Sequence, residues 1–72
     1  MDRKTAEFRV SAHIGKWVEA RHSRGRIRGH LRKTDLEGYV QVRNKSANFH
    51  FTYSEVHEVH YGGKDLVIYL TI

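Results

Sequence analysis

The chain contains no cysteine and no proline. Without thiols, neither a disulfide nor a thiolate metal site can staple the fold. Without proline, the work of punctuating the chain falls to six glycines. No window approaches the roughly 20 apolar residues of a membrane span. The N-terminus is charged from Asp2 to Lys4 and carries no apolar run, so it does not read as a secretory signal. The expected setting is therefore intracellular, in the cytoplasm, with no membrane partner. There is no linker, repeat or low-complexity segment. Length adds a further limit. At 72 residues a chain buries only about 60% of the surface its unfolded form exposes. That excludes a multi-domain enzyme with its own cofactor domain. A core this small calls for a closed β-barrel, an oligomer, or both.

Acids are also scarce where bases are dense. The formal net charge is +5, from 13 Lys and Arg against 8 Asp and Glu, with six His neutral. Residues 1–33 carry a net +7 and residues 34–72 a net −2. The run from Arg21 to Lys33 holds six Lys and Arg, two His and no acid. Such a concentration repels itself in the folded state and invites a polyanionic partner. A surface kept only for solubility would mix its signs.

What is present has period two almost throughout, which argues for strands. Val18 and Ala20 share one face of a segment starting at Trp17. Ile27, Gly29 and Leu31 face one way, while Arg26, Arg28, His30 and Arg32 face the other. Val40 and Val42 form the inner face of the next segment. Phe49, Phe51 and Tyr53 alternate with Asn48, His50 and Thr52. A short strand around His57–Tyr61 follows a tight turn at 54–56. Leu66, Ile68, Leu70 and Ile72 alternate with Val67, Tyr69 and Thr71. The turns fall at Ser23-Arg24-Gly25, Gly38, Asn44–Ala47 and Gly62-Gly63. Five or six short strands at this spacing predict an all-β, small antiparallel barrel. Gly29 is mid-strand, which marks a sharp bend. Residues 1–13 form an N-terminal arm or short helix, with Phe8-Arg9-Val10 as an alternative added strand. Residues 14–72 form the single barrel domain.

Ile14-Gly15-Lys16-Trp17-Val18, Gly25, and Gly29-His30-Leu31-Arg32-Lys33-Thr34-Asp35 together resemble the first Sm signature, a glycine, a bent strand and G-x-L-x-x-x-D. Phe51 to Val59 is similar to the way such barrels end, with a one-turn helix before the last strand. The chain thus resembles an Sm-like (LSm/Hfq-type) small barrel within the Src-homology-3-like class, over roughly Ile14 to Val59. The resemblance implies a barrel that makes rings by edge-strand pairing. Of the Asp-x-x-Met-Asn loop that binds uridine in that family, only Asp35 is matched, so uridine specificity is not implied. The second Sm signature is absent, and an extra strand follows at Leu66–Ile72.

The leading functional feature is an arginine ladder. Arg26, Arg28 and Arg32 project from one strand face at the roughly 7 Å repeat of alternate residues. That is close to the phosphate spacing of a nucleic-acid strand. Trp17 and Tyr39 share this outward parity on the flanking strands, with Arg21 and Arg43. Exposed aromatics among arginines hold single strands by stacking bases while the charges track the backbone. Alternatively, Trp17 closes one end of the core and Tyr39 packs at a protein interface. Arg21, Arg26, Arg28, Arg32 and Arg43 are the expected phosphate holders. Trp17 and Tyr39 are the stacking platforms, and Arg24 and Lys33 steer association. The expected partner is nucleic acid, RNA before DNA, bound with little sequence specificity. No helix-turn-helix or zinc-finger pattern exists to enter a major groove.

His57 and His60 are three apart on a strand, point to opposite faces and cannot share an ion. No cofactor and no metal are expected. The serines lack a nucleophile motif, and a barrel this small is filled by side chains, so the chain reads as non-enzymatic. Asn44-Lys45-Ser46 reads as a turn. The terminal run Leu66–Leu70 is apolar on both faces and must be paired or covered. It is either an interior strand or the seam of a homo-oligomer formed through strand edges. The competing reading of the whole chain is a protein-interaction module, a small regulator or inhibitor that docks its basic face on an acidic protein.

Overall fold

A computed structural model describes residues 1–72. The chain folds into helix α1 (Arg3–Ser11) and six strands: β1 (Trp17–His22), β2 (Gly25–Lys33), β3 (Tyr39–Arg43), β4 (Asn48–Thr52), β5 (Val56–Gly62) and β6 (Asp65–Leu70). A one-turn 3-10 helix, Tyr53–Glu55, separates β4 from β5. The strands form one mixed sheet in the order β4-β3-β2-β1-β6-β5. The β-dominated fold read from the alternation is what the chain adopts, with one short helix added.

The N-terminal ambiguity resolves as a helix. The Asp2 carboxylate accepts from the Thr5 backbone N–H at 2.8 Å and caps the first turn. Ala6 and Val10, four residues apart and so on one helix face, are both fully buried. Phe8, the first residue of the alternative strand, is 80% exposed. The helix packs on the 3-10 turn and β5 and contributes to the same core as the sheet.

Period two sets the core. Val18 and Ala20 of β1, Leu31 of β2, Val40 and Val42 of β3 and Ile68 of β6 are all fully buried, with Phe51 beside them. Tyr53, Val56 and Leu66 complete the cluster, and Ile14, Ile27, Phe49, Val59 and Leu70 pack around it. Burying a large apolar side chain of this kind contributes about 1.5–3 kcal/mol.

Two features differ from the expected antiparallel barrel. First, β1 and β6 pair in parallel, with Val18 opposite Leu66 and Ala20 opposite Ile68. The cause lies in the corner at Tyr53–Glu55, which carries the chain from β4 to β5 without reversing it. The β5–β6 hairpin then brings β6 back alongside β1. Second, the sheet is not closed: β4 and β5 are its two edges. Because β6 carries apolar residues on both faces, Leu66, Val67 and Ile68 are all buried, and the strand takes an interior position. The polar β5 is left at the rim. No helix is long and apolar enough to cross a membrane.

Gly29 explains the shape of β2. A Cβ at this position would lie 2.4 Å from the Arg43 carbonyl oxygen, so only glycine admits the approach of β3. From Gly25 to His30, β2 pairs with β1. Its pairing with β3 spans only His30–Lys33. The first half of β2 therefore diverges from β3, and a groove opens between them.

Candidate nucleic-acid interface

Alternation that buries Val18, Ala20 and Leu31 sends their neighbours to the opposite face. Register then sorts those neighbours into rows. Trp17 lies opposite His30, Glu19 opposite Arg28, and Arg21 opposite Arg26. Across the next pair, His30 lies opposite Arg43 and Arg32 opposite Gln41. The basic face is thus built by three adjacent strands.

The groove has a volume of about 1290 Å³ and runs between the first half of β2 and the β3–β4 turn. Arg26, Arg28, Arg32, Arg43 and Lys45 line it, and no acid does. Trp17 and His30 stand on one side, their rings edge-to-face at 5.1 Å. At the other end His22 stacks on Phe49 at 4.4 Å, nearly parallel. The turn that forms the far wall is fixed locally. Asn44 Oδ1 accepts from the backbone N–H groups of Ser46 and Ala47, at 2.8 and 2.9 Å, an arrangement asparagine side chains favour. Asn44 Nδ2 donates to the Arg28 carbonyl at 2.7 Å and ties the turn to β2.

Charges in the groove are mostly unpaired. Arg32, Arg43 and Lys45 make no ion pair, and Arg26 comes only within 4.0 Å of Glu19. Arg28 Nε donates to Glu19 Oε1 at 2.7 Å. Hydrogen bonds from Arg28 and Arg21 hold the Glu19 carboxyl below its ordinary value, against burial, which pushes it up. The arrangement can take an extended polyanion: fork-shaped donors along a channel, with a half-exposed indole beside them. No three His, Asp or Glu side chains come together as a metal ligand set. His57 is the extra residue of a bulge in β5.

Of the nine residues singled out in the sequence, five meet in the groove: Trp17, Arg26, Arg28, Arg32 and Arg43. The other four do not. Arg21 is on the same face but engages Glu19 and lies 5.4 Å over the Tyr69 ring. Arg24 sits exposed in the β1–β2 turn. Lys33 ends β2 at inward parity and borders a separate small hollow with Ile14 and Gly15. Tyr39, 43% exposed, occupies the correct face but lies four residues along β3 from Arg43, about 13 Å at strand rise. It does not line the groove.

Sequence reasoning missed Lys45, His22, His30 and Glu19 as parts of the site. His30 shares the parity of Arg28 and Arg32, and Glu19 shares that of Trp17 and Arg21, so both were available from alternation. Lys45 lies in a turn, where alternation gives no direction. Compared with protein-family models, curated proteins and solved structures, the chain matches none.

Proposed function

We propose that this protein is a non-enzymatic nucleic-acid-binding module that takes single-stranded RNA in preference to DNA, with little sequence specificity. The observation that carries the reading is the acid-free groove lined by Arg26, Arg28, Arg32, Arg43 and Lys45, with Trp17 on its rim. Guanidiniums along one strand and its neighbour hold successive phosphates, and the indole offers a stacking surface for a base. Of the amides at the groove, Asn44 spends its hydrogen bonds on the protein backbone. We assign the location to the cytoplasm. The likeness to Sm-like barrels rests on Gly25, the bend at Gly29, Asp35 and the one-turn helix before β5. Self-association would use the open edges β4 and β5, since β6 is interior.

The test is fluorescence-anisotropy binding of a short single-stranded RNA, a duplex DNA and heparin across a salt titration. Wild type should bind RNA saturably, with affinity falling steeply as salt rises. Arg26→Ala/Arg28→Ala should weaken that binding by at least about tenfold and flatten the salt slope by about two. Equal binding of heparin and RNA, unaffected by the double substitution, would sink the proposal and favour docking on an acidic protein.

A further inference from the structure

Glu19 is the one charged residue of the buried set, 4% exposed, yet it lies on the arginine face rather than in the apolar core. Its neighbours across the sheet are Arg28 on β2 and Val67 on β6. Val67 is itself buried. A carboxylate withdrawn from water needs opposite charge and hydrogen bonds around it. Glu19 has both, divided between its oxygens: Oε1 accepts from Arg28 Nε at 2.7 Å, and Oε2 accepts from Arg21 Nε. Arg26 Nη1 stands 4.0 Å from Oε1. Arg21 and Arg26 are directly opposed across β1 and β2, a like-charge placement that repels, and Glu19 stands beside both.

The bond to Arg28 uses Nε alone. Both terminal amino groups of that guanidinium remain for a second acceptor, and the side chain is 59% exposed. Arg21 differs. Its Nη1 lies 3.4 Å from the Tyr69 hydroxyl, and it does not line the groove. Glu19 therefore anchors one guanidinium inside the groove and one outside it.

We propose that Glu19 is a positioning residue for nucleic-acid binding: it fixes Arg28 through Nε as a preformed fork for a phosphate in the groove. This role rests on the proposed function. Removing the carboxylate has two opposed effects. The face gains one unit of positive charge, which favours any polyanion. The Arg28 side chain loses its anchor, and ordering it again on binding opposes affinity. For a flexible polyanion the first effect wins. For a strand seated in the groove the second wins, so RNA and heparin respond with opposite sign.

The experiment compares wild type, Glu19→Gln and Arg28→Lys for binding to a fluorescent single-stranded RNA and to heparin, with thermal melts confirming that each is folded. Glu19→Gln should weaken RNA by about three- to tenfold, the order of immobilising one long side chain on binding, and leave heparin unchanged or tighter. Arg28→Lys keeps the net charge. It cannot hold Glu19 and offer two nitrogens to a phosphate, and it should also weaken RNA with heparin unmoved. In spectra of the free wild-type protein, two Arg Nε–H signals should resist solvent exchange, and both should lose that protection in Glu19→Gln. RNA bound more tightly by Glu19→Gln would overturn the role of Glu19 alone. Wild type failing to bind RNA saturably would overturn the proposed function and this role with it.

Discussion

Glu19 ties the basic face to stability as well as to binding. In the folded protein, hydrogen bonds from Arg28 and Arg21 hold its carboxyl below the ordinary value of 4.5. The unfolded chain lacks those donors and takes up the proton at higher pH. The stabilisation is therefore complete above the unfolded value and is lost as pH falls through the lower, folded one. Asp2, lowered by its cap bond from Thr5, acts in the same direction. Urea unfolding between about pH 6 and about pH 3 should show wild type losing stability on acidification and Glu19→Gln losing less. A difference between the two that stays constant with pH would contradict this assignment. The arginines of this face were legible because strand period two assigns each a side. Arg21 has the expected parity, but its guanidinium is drawn off by Tyr69 from a distant part of the chain, which alternation cannot foresee. Glu19 escaped notice because the acid-free run begins two residues after it, so charge counted along the sequence hides what register places opposite Arg28.

Strand β2 works as two halves joined at Gly29, the first paired with β1 and the second shared with β3. Gly29→Ala would force a methyl to within 2.4 Å of the Arg43 carbonyl oxygen. Backbone on both sides must then separate, at a cost of about 2 kcal/mol or more, and chemical denaturation should register it. RNA affinity should fall as well, because Arg43 moves with its carbonyl. Helix α1 makes a smaller contribution through two side chains. Val10→Ala leaves a cavity under the helix and should cost about 1–3 kcal/mol, with β1–β4 pairing intact by amide exchange. If the helix were a detached arm, the same substitution would cost almost nothing. The bend was legible in the sequence, since a glycine flanked by strand residues signals close backbone approach. The helix was legible only as one of two alternatives. Its face is two residues wide, too narrow for periodicity to separate helix from strand.

The complete sheet adds a relationship that no local pattern contains. Hairpins β1–β2, β2–β3, β3–β4 and β5–β6 follow from turn residues between alternating segments, and each was readable. The parallel pairing of β1 with β6 was not, because it depends on the corner at Tyr53–Glu55 keeping the direction of β4. The apolar character of both faces of β6 did announce an interior position, and Val67, buried on the arginine side, lies beside Glu19 across the β1–β6 pair. This topology also has a kinetic side. Every pairing but one joins neighbours in sequence and closes a short loop, which is fast. The exception joins Val18 to Leu66, and until that pairing forms, the rim of β1 and both faces of β6 lie bare. Docking of the β5–β6 hairpin on the four-stranded meander is then the step expected to pace folding.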